Sequence, residues 1–221
     1  MRTSPTRGYR PCMPWSESFA AVYEPSLAVG EWAGMRRRRR SLVARSKGRT
    51  LEIGSGTGLN LPHYPSNLDA LTLAEPDPAM RRRLTARAAD SGREVSVIDA
   101  GAEWLPFDDG SIDTVVSTLV LCTVDEPERA LEEIARVLAP GGQLLFIEHV
   151  RSDSALLAAW QDRLERPWRR FAVGCRCNRA TAGLLARCGY ELDARRERWS
   201  MMPPIVVPLI AGSARLGTRG A

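Results

Sequence analysis

Thr50-Leu51-Glu52-Ile53-Gly54-Ser55-Gly56-Thr57-Gly58-Leu59-Asn60 is the stretch on which the fold turns. It reads as a short apolar strand that ends in a glycine-rich turn and opens a helix. Glycine lets the chain turn tightly and lets a ligand approach bare backbone, and the amides of a helix N-terminus face whatever binds there. The spacing is G-x-G-x-G. The dinucleotide fingerprint is G-x-G-x-x-G, and Leu59 stands where its last glycine belongs. An acid, Glu52, lies just ahead of Gly54; it repels a pyrophosphate and attracts a cationic head.

Three further segments follow in order. Residues 71–74 read as a second strand with Glu75 at its end, where a carboxylate roughly 20 residues on accepts hydrogen bonds from ribose hydroxyls in doubly wound folds. Gly101-Ala102-Glu103-Trp104-Leu105-Pro106-Phe107 follows a strand over residues 94–99. Ala139-Pro140-Gly141-Gly142 is a helix stop leading into a strand over residues 143–149. With these four segments, residues 19–194 resemble the class I S-adenosylmethionine-dependent methyltransferases, whose cofactor carries an ammonium beside a sulfonium. The resemblance implies an α/β fold: a doubly wound, Rossmann-like, seven-stranded sheet, mostly parallel with an antiparallel last strand, and helices on both faces. It also implies S-adenosylmethionine contacts from Glu52, Gly54, Ser55, Gly56, Gly58 and Asn60 in the turn. Glu75, Pro76 and Met80 are implied after the second strand, Gly101 and Ala102 after the third, and Thr118 and Leu119 after the fourth. Many relatives carry an acid where Gly101 stands, so adenine recognition falls here to the backbone of Gly101 and Ala102 or to Asp99.

A chain of 221 residues suits one domain with a full core. No apolar run approaches the ~20 residues of a membrane span. Residues 1–15, rich in Pro, Arg and Ser, lack the apolar core of a secretory signal and read as a disordered lead-in to a cytoplasmic protein. Residues 16–221 read as a single domain, with N-terminal cap helices over 16–47 and a roof over the acceptor pocket over 150–189. The net charge is +5, but Lys47 is the only lysine, an arginine bias that points to base composition rather than to phosphate contacts. The run at 36–40 would point in all directions on a helix, so it reads as a solvated basic helix. Nucleic-acid enzymes that methylate amino groups place a polar-Pro-Pro-aromatic turn at the rim; residues 118–122 are Thr-Leu-Val-Leu-Cys, and no nucleic-acid partner is expected. The five cysteines are scattered, which argues against a disulfide framework. Cys175 and Cys177 are the close pair, and neither His63 nor His149 has a paired spacing, so the expectation is free thiols and no metal.

Along the chain, residues 16–23 suit a helix capped by Ser16, with Phe19 and Tyr23 on one face either packing it or covering the cofactor. A second helix spans 31–46 and stops at Lys47-Gly48. Residues 60–64 close a short helix before Pro65, with His63 either a surface or packing residue or, as the resemblance implies, near the cofactor's methionine end. Asp77 and Pro78 start the next helix, and Ala79 and Met80 can touch the adenosine. Residues 111–117 form a β-branched strand. The helix over 126–138 spaces Ala130, Leu131, Ile134, Val137 and Leu138 toward the core. The next strand ends in Glu148-His149 at the carboxyl edge where ligands sit, which makes His149 the candidate catalytic group. A helix over 154–171 carrying Trp160, Trp168 and Phe171, a helix over 180–188, and strands over 190–196 and 205–211 complete the chain.

The resemblance narrows further. Residues 117–124, Phe146-Ile147-Glu148-His149-Val150, and the arrangement Trp160, Pro167-Trp168, Phe171, Gly174-Cys175, Arg179 are similar to the animal microsomal thiol S-methyltransferases. Residues 103–107 are similar to the quinone-biosynthesis C-methyltransferases. The closer match implies methyl transfer to a small apolar thiol, with Arg179, His149 or both supporting the thiolate. No counterpart of the hydrophobic N-terminal anchor of the animal proteins is expected. C- or O-methylation of a quinone-like or natural-product acceptor stays open, as do a nicotinamide oxidoreductase and a non-catalytic adenosylmethionine binder. The oligomeric state is not legible.

Overall fold

The computed structural model describes residues 17–217; the lead-in, the Ser16 cap and the Phe19 side chain lie outside what it describes. Its strands are β1 (Arg49–Ile53), β2 (Ala70–Ala74), β3 (Ser96–Ile98), β4 (Ile112–Thr118), β5 (Leu138–His149), β6 (Tyr190–Arg198) and β7 (Pro208–Leu216). Its helices are α1 (Glu17–Gly30), α2 (Arg36–Val43), α3 (Pro78–Asp90), α4 (Pro127–Val137), α5 (Ala155–Phe171) and α6 (Thr181–Arg187). The seven strands lie in the order β3-β2-β1-β4-β5-β7-β6. All run parallel except β7, which is antiparallel to both β5 and β6. The chain winds outward from β1 to β3, then returns to place β4 on the other side of β1. That reversal opens a crevice at the carboxyl ends of β1 and β4.

Alternate residues of each strand face opposite sides of the sheet. Leu51, Ile53, Val115, Leu144 and Phe146 pack against Leu131, Ile134 and Val137 of α4 and Leu184 and Leu185 of α6. Val116, Leu145 and Ile147 pack instead with Leu42 and Val43 of α2 and Leu84 and Ala88 of α3. Helices thus cover both faces, as expected. Asp77 caps α3 as its sequence predicts, accepting from the amides of Ala79 and Met80, each at 2.9 Å.

Several local expectations are corrected. The glycine turn opens no α-helix, because Gly54, Gly56 and Gly58 hold φ of +54°, +57° and +85°. Alternating left-handed residues break a helical ladder, so the chain makes successive turns and one 3-10 turn, Leu61–His63. The first helix runs on to Gly30, and a π-helical turn, Glu31–Met35, with Gly34 at φ +118°, separates it from α2. The basic run is only partly solvated. Arg39 is buried, donating from Nε to Glu31 at 2.9 Å and from Nη1 to Asn60 Oδ1 at 3.2 Å. Arg38 pairs with Glu197. The last strand starts later than expected, because Pro203 and Pro204 lead into a 3-10 turn, Pro204–Val206.

Candidate active site

A cavity of about 840 Å³ sits over the crevice at the carboxyl ends of the central strands. Gly54 and Gly56, Glu75 and Pro76, Gly101 and Ala102, and Thr118 and Leu119 line it from successive strand ends, and Met80 lines it from α3. Tyr23 of α1, Trp168 and Phe171 of α5, and Trp199 and Val206 complete the wall. The remaining turn residues named by the sequence stand elsewhere. Glu52 is buried, accepting from Asn60 Nδ2 and from the Tyr64 hydroxyl, both at 2.8 Å. Asn60 Nδ2 also reaches Thr118 Oγ1 at 3.0 Å, so the acid braces the wall through Asn60 and Thr118. Ser55 is buried and hydrogen-bonds the Glu52 carbonyl at 3.3 Å. A Cβ on Gly58 would meet Leu84 at 2.8 Å, so that glycine serves packing.

Burial pushes the Glu52 carboxyl up to about 7, against the pull of its Tyr64 and Asn60 hydrogen bonds. Burial also lifts Glu75 to about 7, although it accepts from the amides of Gly56 and Asp77 at 2.8 Å each. Of the adenine options, Gly101 and Ala102 are on the cavity wall, while Asp99 pairs with Arg81 at 2.8 Å.

The opposite end of the cavity is built around Glu148 and His149. Glu148 is fully buried and accepts from Ser117 Oγ at 2.7 Å and from the amides of Val120, Leu121 and Cys122 at 3.1, 3.0 and 3.0 Å. These bonds hold Leu119 at φ +61°, a strained conformation that only a well-determined surrounding maintains. Arg179 grips the same loop from outside, donating to the carbonyls of Leu121 and Val124. It does not line the cavity, and this separates it from the direct contact expected of it.

His149 is on the wall, and its ring stacks on Trp199 with centroids 5.8 Å apart. Trp199 is fixed in turn by a 2.8 Å hydrogen bond from its Nε1 to the Gly30 carbonyl. His149 Nδ1 lies 3.5 Å from Cys122 Sγ and 3.4 Å from Cys175 Sγ, and the two sulfurs are 4.0 Å apart. The Cys122 thiol is pushed well above the ordinary range, first by the Cys175 sulfur and then by burial. The sequence spacing predicts no metal-ligating group, yet three ligand atoms meet here, all within 4.8 Å of one another. Cys175, close in sequence to Cys177, groups in space with Cys122. His63 stays off the cavity, half-buried on its 3-10 turn. Trp199, which the sequence reading missed, sits in a polar stretch with no periodicity to mark it.

Residues 51–146 match the family described as a methyltransferase domain. The phosphatidylethanolamine N-methyltransferase of Cereibacter sphaeroides is 37% identical over 150 residues, covering 66% of this chain and 72% of that protein. The chain belongs to the class I S-adenosylmethionine-dependent methyltransferases. Human thiol S-methyltransferase TMT1B is 37% identical over 159 residues, covering 66% of this chain and 65% of that protein. Human TMT1A is 38% identical over 145 residues, covering 64% and 59%. The match thus spans somewhat less than two thirds of the thiol S-methyltransferases' length. A SAM-dependent methyltransferase from Thermotoga maritima, titled a possible histamine N-methyltransferase, superposes with a TM-score of 0.65 at 23% identity, covering 91% of this chain and 97% of that one. At that identity the likeness concerns the fold. Membership in this methyltransferase family sets the nicotinamide reading aside.

The family's methyl donor fits the cavity. A Cβ on Gly56 would meet nothing within 4 Å, so bare backbone faces open space where a ligand must come close. The Glu75 carboxylate beside it suits ribose hydroxyls, and Met80 offers a soft apolar surface. The volume is that of a small-molecule site.

Proposed function

We propose that the protein transfers a methyl group from S-adenosylmethionine to a small apolar thiol. The observation that carries this reading is the cluster of His149, Cys122 and Cys175 on the wall of a cavity otherwise dominated by Trp168, Phe171 and Val206. Soft sulfur and imidazole groups within apolar walls suit an apolar, sulfur-bearing acceptor, and relatives named thiol S-methyltransferases agree with it. Bound S-adenosylmethionine supplies a methyl group already activated on its sulfonium. The chain's own task is therefore alignment, worth up to ~7–11 kcal/mol in ideal geometry, and keeping the acceptor sulfur as thiolate. Glu75, Gly56 and Met80 hold the donor. His149, oriented by Trp199, supports the thiolate. Arg179 and Glu148 position the loop at 119–124 between them. The free thiols at Cys122, Cys175, Cys177 and Cys188 fit a reducing, cytoplasmic setting.

One observation favours a second acceptor. Val29, Phe171 and Met201 line the cavity and are exposed, an apolar rim suited to a lipid. Together with the phosphatidylethanolamine N-methyltransferase relative, this favours a headgroup amine. Label from methyl-tritiated S-adenosylmethionine decides between them when the protein is offered benzenethiol, the matching phenol, and phosphatidylethanolamine vesicles. Label in methyl phenyl sulfide supports the thiol reading, and label confined to lipid overturns it. His149→Ala is expected to lower thiol methylation by about 100-fold, the usual scale for a positioned acid–base group, while adenosylhomocysteine binding by calorimetry stays unchanged.

A further inference from the structure

We propose that Cys122, His149 and Cys175 form a binding site for a divalent thiophilic cation, zinc in the first instance, whose fourth position opens into the acceptor cavity and takes the substrate thiolate. The three-ligand site stands on its own geometry; the fourth ligand rests on the thiol reading above.

Zinc takes tetrahedral nitrogen and sulfur ligands at about 2.0 and about 2.3 Å, and catalytic sites keep one position for water or substrate. Tetrahedral angles at those bond lengths place sulfur and nitrogen about 3.5 Å apart and two sulfurs about 3.8 Å apart. The observed separations of 3.5, 3.4 and 4.0 Å fall on these edges. Both sulfurs and the ring are buried, and all three side chains line the cavity, so the face away from protein is the acceptor's.

The bonds that shape the loop and the wall also hold the ligands in place. Arg176, next to Cys175, donates its amide to the Cys122 carbonyl at 2.8 Å, tying the two cysteine loops together. Glu148 Oε2 accepts from the Cys122 amide at 3.0 Å. The Thr123 hydroxyl, which donates to the Leu119 carbonyl at 3.2 Å, sits 3.7 Å from Cys122 Sγ. Stacking on Trp199 fixes the imidazole plane. Nε2 of that ring has no protein partner among the described residues, so Nδ1 is the nitrogen turned toward the sulfurs.

Two cysteine thiolates and a neutral imidazole cancel the charge of a dication, so a third thiolate bound there keeps its nucleophilicity while giving up its proton to solvent. The balance is closed. The acceptor's S–H proton leaves on coordination, its sulfur lone pair forms the new S–CH3 bond, and the methyl–sulfonium bond breaks with its electron pair left on adenosylhomocysteine. The neutral thioether product is a poor ligand and dissociates.

Cobalt(II) reports the site directly. The reduced full-length protein, stripped by chelator, is titrated with cobalt chloride and followed by absorption. One equivalent is expected to produce a near-ultraviolet sulfur-to-cobalt charge-transfer band and the strong visible bands of a tetrahedral ion, both bleached by zinc. Benzenethiol is expected to shift the visible bands, and phenol is not. Cys122→Ala and Cys175→Ala are each expected to lose the charge-transfer intensity, and Cys188→Ala to keep it, with adenosylhomocysteine binding as the check on folding. Wild-type protein that takes up no stoichiometric cobalt or zinc overturns the site whatever the variants do, as do unchanged bands in both cysteine variants. Full-rate benzenethiol methylation by metal-stripped protein overturns the acceptor's place on the metal and leaves the thiol reading intact. A tetrahedral cobalt spectrum indifferent to benzenethiol, with label going to amine, supports the three-ligand site and overturns the acceptor's place on it.

Discussion

Gly56 combines a φ of +57° with open space at its missing Cβ. Valine there adds a left-handed strain of about 1–2 kcal/mol and fills the space against which the cofactor must lie. Gly56→Val is expected to abolish adenosylhomocysteine binding in a calorimetric titration while circular dichroism stays native; retained binding would move the cofactor elsewhere. Gly54 is a different case, since its Cβ would meet Val120 at 2.6 Å, and substitution there would disturb the loop itself. Glu52 and Glu75 give the free protein a pH dependence. Burial raises both from about 4.5 to about 7, so the folded chain keeps protons that the unfolded chain releases in that window. Their stabilising contribution is present below about 4.5 and is lost as pH rises through about 7, on the order of 3 kcal/mol for a fully buried group. Denaturant midpoints at pH 5 and pH 8 are expected to differ less in Glu52→Gln than in the wild type.

The loop at 119–124 is an element without regular structure, and its shape comes from its two clamps. Glu148 satisfies its amides from within, and Arg179 satisfies its carbonyls from without. Each broken contact leaves buried backbone groups unpaired, at about 1–3 kcal/mol each. Arg179 therefore acts as a positioning residue. Arg179→Met is expected to raise the acceptor KM several-fold with cofactor affinity unchanged, and Arg179→Lys, which restores one donor, to fall between. A fall in kcat alone, with KM untouched, would instead assign Arg179 to the chemistry.

At the scale of the whole molecule, β7 carries β6 onto the β5 edge, so the last strands extend the same sheet rather than forming a separate unit. Trp199, ahead of β7, reaches back to the end of α1, closing the wall from both ends of the chain. We expect residues 17–217 to unfold in one transition by calorimetry. Adenosylhomocysteine at about 100 times its Kd adds about 2.7 kcal/mol, which raises the midpoint by roughly 5–10 °C for a domain of this size. Two resolved transitions, only one of them shifted by ligand, would divide the chain.

By itself the sequence determined the strands around the glycine turn, and its resemblance to a family supplied the order of the sheet. Short apolar and β-branched runs, the Asp77 cap and the glycine turn are local signals, and local sterics act over a few residues. Gly54 and Gly56 could therefore be named from the spacing of the turn and Glu75 from its place after the second strand, while Gly101 came with the family resemblance. The same spacing placed Glu52 on the wall, and only the tertiary fold brought Asn60 and Tyr64 back over it. His149 and the roof were legible, but the cluster around His149 was decided by the tertiary structure. Cys122, His149 and Cys175 are 26 to 53 residues apart, and they meet because the ends of β4 and β5 and the loop after α5 converge over one crevice. No periodicity records a contact made across that distance; packing of the sheet and its roof creates it.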